Sequence, residues 1–251
     1  MSESVSMSSE QVNLSLFTHL LSRPDDEIDL FEAALMISTI AYPEVDPAVW
    51  KARLDDLGDA VREAVVSTPG AGSSGPVVQM KMLLEVLYRQ LGFRGNEESY
   101  FEPENSFMSD VLKRRVGIPI SLALVVIEVA ARAKIPAVGV SFPGHFLVRC
   151  DESNGFAMID PFHGAVLEVS TVNGLYQRAT GQTGSVPPSA LQPAGPRVFL
   201  LRMLNNLASI YRSRDDAALL EATQRRIKIV EASASQRSSA SRIARSPRSM
   251  N

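Results

Sequence analysis

The sequence has few of the residues that mark an extracellular, membrane or metal-binding protein. It contains one cysteine, Cys150, in 251 residues, which excludes an internal disulfide and a multi-cysteine metal site and fits a reducing compartment. No apolar run approaches the roughly 18 residues that a membrane span requires. Residues 1–11 contain neither a basic nor an apolar region, so we expect no secretory signal there. The sequence therefore predicts a cytoplasmic protein without contact to a membrane.

Excess positive charge is also lacking. The chain has 25 Lys and Arg against 28 Asp and Glu, a formal net charge of −3, which argues against a nucleic-acid binder built on an overall positive field. The exception is the Ser/Arg-rich segment 233–251, which carries four arginines and no acidic residue. Because this segment has almost nothing to bury, it is predicted to be a disordered basic tail. The polar start, residues 1–13, is predicted to be disordered as well.

The spacing of apolar and turn-forming residues divides the rest of the chain into four segments. In chain order they are a helical N-terminal region, a core, a loop and a helical hairpin: 14–92, 93–179, 180–196 and 197–232. Asp46-Pro47 is typical of a helix start, and the Gly/Ser-rich stretch 67–76 is a connector without the Lys-Ser/Thr of a phosphate loop. Within the core, a polar loop at 95–105 and a short helix around 107–114 lead to a helix, 120–134, that is apolar almost all round, and four short strands follow it. This order predicts an α+β fold.

Three side chains of the core are placed as a catalytic triad would be. Ser121 lies in the first turn of the apolar helix, His145 begins the second predicted strand, and Asp160 ends the third. A helix N-terminus favours developing negative charge on a nucleophile, a histidine takes up its proton, and a carboxylate orients the imidazole. Ser121, His145 and Asp160 are therefore the candidate catalytic residues.

Two long motifs resemble the SirB-type family of transglutaminase-like proteins. One is VLKRRVGIPISLA, residues 111–123, with Asn105-Ser106-Phe107 ahead of it; the other is GVSFPGHFLVR, residues 139–149, followed by residues 159–162. Shorter matches lie at residues 31–35 and 91–96, and the similarity covers roughly residues 14–230. The resemblance implies a papain-like core, a Cys-His-Asp superfamily chemistry of acyl transfer or peptide cleavage, and a tetratricopeptide-like C-terminal helix pair.

The nucleophile of that superfamily is missing. His145 and Asp160 match its His and Asp positions, whereas the Cys position falls near Ile120 or Ser121, where the sequence has no cysteine. Cys150 does not replace it, because side chains five residues apart on a strand point to opposite faces. We expect Cys150 to be a buried core residue.

Three functions follow from these observations. We favour a non-catalytic binding or regulatory module whose partner is another protein or peptide; Ser121 then only satisfies an amide of the first helical turn or lies on a polar stripe with Glu128. The second is a serine-dependent hydrolase or acyl transferase that uses the three candidate residues as nucleophile, base and orienting acid. The third is a helical adaptor that binds through residues 197–230. No cofactor is expected, and a metal site that adds His163 to the candidate histidine and aspartate is not favoured, since nothing fixes its geometry.

Overall fold

The computed structural model describes residues 7–70, 72 and 74–244. Within that part of the chain the α-helices are α1 (Ser9–Leu21), α2 (Leu30–Ser38), α3 (Pro47–Ser67), α4 (Pro76–Leu84), α5 (Met108–Arg114), α6 (Pro119–Arg132), α7 (Val169–Thr180), α8 (Pro196–Ser213) and α9 (Ala217–Ala244). The strands are β1 (Arg94–Gly95), β2 (Val116–Gly117), β3 (Ala137–Val140), β4 (Leu147–Glu152), β5 (Gly155–Asp160) and β6 (Ala165–Leu167). The predicted α+β class is confirmed.

Helix α6 is the centre of the fold. Nearly all of its side chains from Ile120 to Ala130 are buried, as its continuous apolar pattern predicts. It packs against α3, α4, α8 and the strands β3 and β4. Its polar stripe is the ion pair between Glu128 and Arg132, whose atoms are 2.7 Å apart. Helix α3 passes so close that a Cβ on Gly58 would lie 2.5 Å from the Cβ of Arg132, so a glycine is required at this crossing.

The strands β3 to β6 form an antiparallel sheet in sequence order. One face packs on α6, and the other carries a second apolar cluster that includes Val140, Leu147 and Met158. Helix α7, which the sequence analysis does not predict, covers this second face with Val172 and Tyr176. These two residues are four apart and therefore lie on the same side of the helix.

Helices extend into both of the segments that the sequence predicts to be disordered. The predicted disordered start, 1–13, overlaps α1, because Ser8 and Gln11 form a capping box in which each side chain accepts a hydrogen bond from the backbone amide of the other. The predicted tail, 233–251, overlaps α9, which runs to Ala244. No Gly or Pro interrupts α9, and Ala and Arg are good helix formers. Residues 1–6 and 245–251 lie outside the described residues.

A buried arginine joins the C-terminal helices to the N-terminal ones. Arg197, at the start of α8, is 6% exposed. Its guanidinium pairs with Asp25 and donates to the carbonyl oxygens of Leu21 and Arg23 and to the hydroxyl of Ser233. Three segments that are far apart in sequence are therefore held at one side chain, as is typical of the planar guanidinium with its five donors.

In the part of the chain that the structure describes, no helix combines the length and the apolar character that crossing a bilayer demands.

Candidate functional site

A small cavity lies between the start of α6 and the turn ahead of β4. Its volume is about 50 Å³, and its lining includes Pro119, Ile120, His145, Tyr100 and Arg202. Pro143-Gly144 makes the turn, with φ of 69° at Gly144 and a hydrogen bond from the His145 amide to the Phe142 carbonyl oxygen at 3.1 Å. Strand β4 consequently begins at Leu147, and the prediction that His145 begins the strand is wrong.

Ser121 is held away from this cavity by hydrogen bonds of its own. Its side chain is fully buried, and its Oγ lies 2.6 Å from the carbonyl oxygen of Asn105, to which it donates. The same Oγ accepts a hydrogen bond from the Ile118 amide at 3.1 Å. Consecutive residues of a helix point about 100° apart, and of these two neighbours Ile120, not Ser121, lines the cavity together with His145. Ser121 therefore satisfies an amide of the first helical turn, which is the non-catalytic role that the sequence offers as the alternative to a nucleophile.

The imidazole of His145 is half-buried and favours its neutral form. Burial lowers the pKa of His145; Asp160 opposes this shift, and the cations Arg178 and Arg202 add to it. Asp160 is therefore near enough to act on His145 through its charge, although its own hydrogen bonds among the described residues go to Phe162 and His163.

Asp160 hydrogen-bonds within the turn that follows β5. Oδ1 accepts from the Phe162 amide at 2.8 Å, and Oδ2 lies 2.7 Å from Nδ1 of His163. The histidine that Asp160 orients is consequently His163 and not His145. Within the described residues, no group of three His, Cys, Asp or Glu side chains is placed to hold a metal ion.

A buried asparagine connects Ser121 to the loop that precedes it in the chain. The side-chain amide of Asn105 donates to the carbonyl oxygens of Ser99 at 2.7 Å and Tyr100 at 3.1 Å. Its Oδ1 accepts from the side chain of Asn96 at 3.0 Å. The sequence predicts this segment as a polar loop without a functional role for its asparagines. Asn96 and Asn105 both lie in the motifs that resemble the transglutaminase-like proteins, and this resemblance is the signal that marks them.

The same loop forms one wall of a much larger groove, with a volume of about 770 Å³. The groove is lined by charges of both signs and by four ring-bearing residues: Arg89, Arg94, Glu97, Glu98, Glu102 and Arg114, with Tyr88, Phe93, Phe162 and His163. Arg114 pairs with Glu102 through Nη2 at 3.3 Å, while its Nη1 is buried without a hydrogen-bond partner among the described residues. The Tyr100 ring, which lines the small cavity, is 6.1 Å from the Phe162 ring, so the cavity and the groove are neighbours.

Comparison with known proteins assigns the chain to a family. The model of the transglutaminase-like superfamily matches residues 48–205. The chain belongs to the transglutaminase-like superfamily. A UPF0162 protein of Xylella fastidiosa (strain Temecula1) is 36% identical over 212 residues, which are 82% of this chain and 73% of that protein. A UPF0162 protein of Pseudomonas aeruginosa is 34% identical over 201 residues, 80% of this chain and 72% of that protein.

The similarity extends to part of a larger eukaryotic protein. F-box only protein 21 of Homo sapiens is 32% identical over 168 residues, which are 60% of this chain but 26% of that protein. No solved structure is significantly similar to this chain.

The transglutaminase-like chain contains no thiol beside His145 in the described structure. The missing Cys position falls near Ile120 or Ser121, and these two residues differ in their surroundings. Ile120 lines the cavity with His145, whereas Ser121 bonds to Asn105. Cys150 is fully buried in the main apolar cluster, which confirms the prediction that it is a core residue. Burial raises the pKa of Cys150 to about 11, so its thiol stays protonated near neutral pH.

A cysteine scan of the first turn of α6 tests which residue faces His145. We expect the thiol introduced by Ile120→Cys to react with iodoacetamide in the native protein several-fold faster than the thiol introduced by Ser121→Cys. The reason is that a helix N-terminus and a nearby histidine both favour a thiolate. Intact-mass measurements over time report the two rates, and the wild type supplies the background from Cys150.

Adding His145→Ala to the Ile120→Cys variant should slow its labelling. Equal or faster labelling of the Ser121→Cys variant would contradict the arrangement described for the cavity.

Proposed function

We propose that this chain is a non-catalytic transglutaminase-like domain that binds another protein or a peptide. The observation that carries the proposal is the position of Ile120, an apolar side chain, beside His145 where the superfamily chemistry needs a nucleophile. A serine nucleophile has to give its proton to the base. The Ser121 hydroxyl has one proton, and in this arrangement it is donated to the Asn105 carbonyl oxygen.

The size of the His145 cavity also favours a non-catalytic domain over a serine-dependent enzyme. A space of about 50 Å³ at His145 has room for only a few water molecules. The serine-dependent alternative would require Ser121 to leave its buried bonds and the cavity to open for a substrate carbonyl. The neighbouring groove, about 770 Å³, falls in the range of known ligand sites without any rearrangement.

The groove offers contacts that suit a polypeptide. Arg89 and Arg94 are exposed on it, and Glu97 and Glu98 line it as well. The loop that forms its wall also exposes an aromatic side chain, Phe101, 71% of which is accessible. Aromatic and arginine side chains carry much of the binding energy in protein interfaces, and charges of both signs favour a partner with complementary charges over a uniformly charged polymer.

The proposal extends to a closer family relationship, the character of the C-terminal helix pair and the cellular setting. The resemblance in sequence supports a SirB-type relationship and a tetratricopeptide-like character for the pair α8 and α9, which pack along each other. A cytoplasmic setting fits the single, buried cysteine.

Labelling with a broad serine-reactive fluorophosphonate tests the absence of catalysis. We expect the native wild type to label no more than a denatured control, because the Ser121 hydroxyl is buried and committed to Asn105. Ser121→Ala and His145→Ala should give the same background. Labelling of the wild type that disappears in both variants would establish a serine nucleophile and overturn the proposal.

Charge reversal in the groove tests the binding function. Arg94→Glu should reduce the recovery of a partner captured from cells that express this protein by about tenfold, the order expected when a charged contact becomes repulsive. Arg53→Glu is the matched control, because Arg53 is an exposed arginine of α3 that does not line the groove. Equal loss in both variants, or none in either, would exclude the groove as the binding site.

A further inference from the structure

A half-buried arginine of α8, Arg202, lines the His145 cavity. Its Nη1 donates to Oγ of Ser141 at 3.0 Å and to the carbonyl oxygen of Phe142 at 3.2 Å. Its Cζ lies 5.6 Å from the centre of the Phe146 ring, a cation–π contact. These neutral groups hold the guanidinium in place, and no carboxylate of the described residues forms an ion pair with it.

The remaining donors of Arg202 are free and accessible. Nε and Nη2 make no hydrogen bond with the residues that the structure describes, and neither is a buried atom. These two atoms lie on one edge of the guanidinium plane, which can bind the two oxygens of a carboxylate side by side. Burial lowers the pKa of Arg202, and an anion at this edge would favour its charged form.

The other walls of the cavity also suit an anion. Pro119 and Ile120 place the start of α6 there, where the first amides have no partner within the helix and the helix dipole is positive. Tyr100, Asn206 and His145 add a hydroxyl, a side-chain amide and an imidazole, all of which can donate hydrogen bonds. No Asp or Glu of the described residues lines this cavity.

The charges around His145 are also mainly positive. Arg178, Arg202 and His163 all act to lower its pKa, in addition to the effect of burial. Asp160 acts in the opposite direction, but its carboxylate oxygens are bonded within the turn that follows β5. The positive charge at the cavity is therefore left without an acidic partner of its own.

We propose that the His145 cavity binds the C-terminal carboxylate of the polypeptide that occupies the groove. The carboxylate oxygens would accept hydrogen bonds from Nε and Nη2 of Arg202 and face the start of α6. A volume of about 50 Å³ has room for a group the size of a few water molecules, which fits a chain end and excludes a continuing backbone. The Tyr100 ring at the cavity is 6.1 Å from the Phe162 ring at the groove, so the preceding residues of the peptide can lie in the groove. This inference rests on the proposed peptide-binding function.

The three histidines of the chain report on the cavity and the groove separately. His145 lines the cavity, His163 lines the groove, and His19 lies on α1 away from both. The probe is the acetylated peptide Gly-Ser-Gly-Ser-Gly with a free C-terminal carboxylate, titrated into the histidine-labelled full-length protein while the imidazole NMR signals are recorded. We expect saturable shifts at His145 and His163 and none at His19. The bound carboxylate should also raise the pKa of His145.

Three further ligands identify the group that is bound. The same peptide with an amidated C-terminus should bind at least about tenfold more weakly, since the charged hydrogen bonds are lost. An acetylated and amidated glutamate, which carries its carboxylate on the side chain, should also bind more weakly. N-acetylglycine has the terminal carboxylate without the preceding residues, and it should shift the signal of His145 but not that of His163.

Variants of two cavity residues locate the carboxylate. Arg202→Gln should weaken the peptide by about tenfold or more, and Arg202→Lys should restore only part of the affinity because an ammonium lacks the two-donor edge. Asn206→Asp keeps the shape of a partly exposed side chain, so the fold should persist while the new charge repels the carboxylate. Arg212→Gln is the matched control, since Arg212 is an exposed arginine of α8 that does not line the cavity.

An absent His145 shift, equal binding of the amidated peptide or the glutamate, or unchanged binding to Arg202→Gln or Asn206→Asp would overturn the proposal. A peptide that shifts His163 alone would do so as well, while leaving the proposed groove function standing. A peptide that shifts His145 alone would contradict the passage of the polypeptide from the groove into the cavity. The dispersion of each variant's NMR spectrum separates a loss of binding from a loss of fold.

Discussion

The hydroxyl of Ser121 holds the central helix against the loop that forms one wall of the groove. It donates to the Asn105 carbonyl oxygen and accepts from the Ile118 amide, while the Asn105 side chain holds the carbonyl oxygens of Ser99 and Tyr100. The space for this hydroxyl is narrow, since a Cβ on Gly117 would lie 2.6 Å from it. A group with one proton cannot serve Asn105 and a catalytic base together, and the structural use of Ser121 therefore accounts for its absence from the His145 cavity.

The two residues in the first turn of α6 have different surroundings. Ser121 bonds to the loop, whereas Ile120 lines the cavity with His145. Asp160 bonds to His163 at the groove. Helix α5 contributes Arg114 to the lining of the groove. The transglutaminase-like scaffold thus places its polar groove beside the cavity that His145 lines.

The sequence predicts the structural elements that neighbouring residues determine. Prediction from the sequence fails where a contact between residues far apart in the chain determines the structure. The apolar pattern of α6, the Asp46-Pro47 start of α3 and the buried Cys150 are all confirmed. Helix α7 was missed because its apolar side is short and packs only on the far face of the sheet. Within the candidate site, spacing brings His145 near Asp160 but does not tell which histidine Asp160 bonds, and the direction of Ser121 depends on Asn105, 16 residues earlier in the chain.

Hydrogen–deuterium exchange of the Ser121→Ala variant measures directly whether the Ser121 hydroxyl holds the loop in place. The substitution leaves buried partners unsatisfied and should lower the free energy of unfolding by about 1–3 kcal/mol. We expect faster amide exchange in residues 96–105 of Ser121→Ala than in the wild type, and wild-type exchange there in His145→Ala. Unchanged exchange in Ser121→Ala would contradict the claim that this hydroxyl holds the loop.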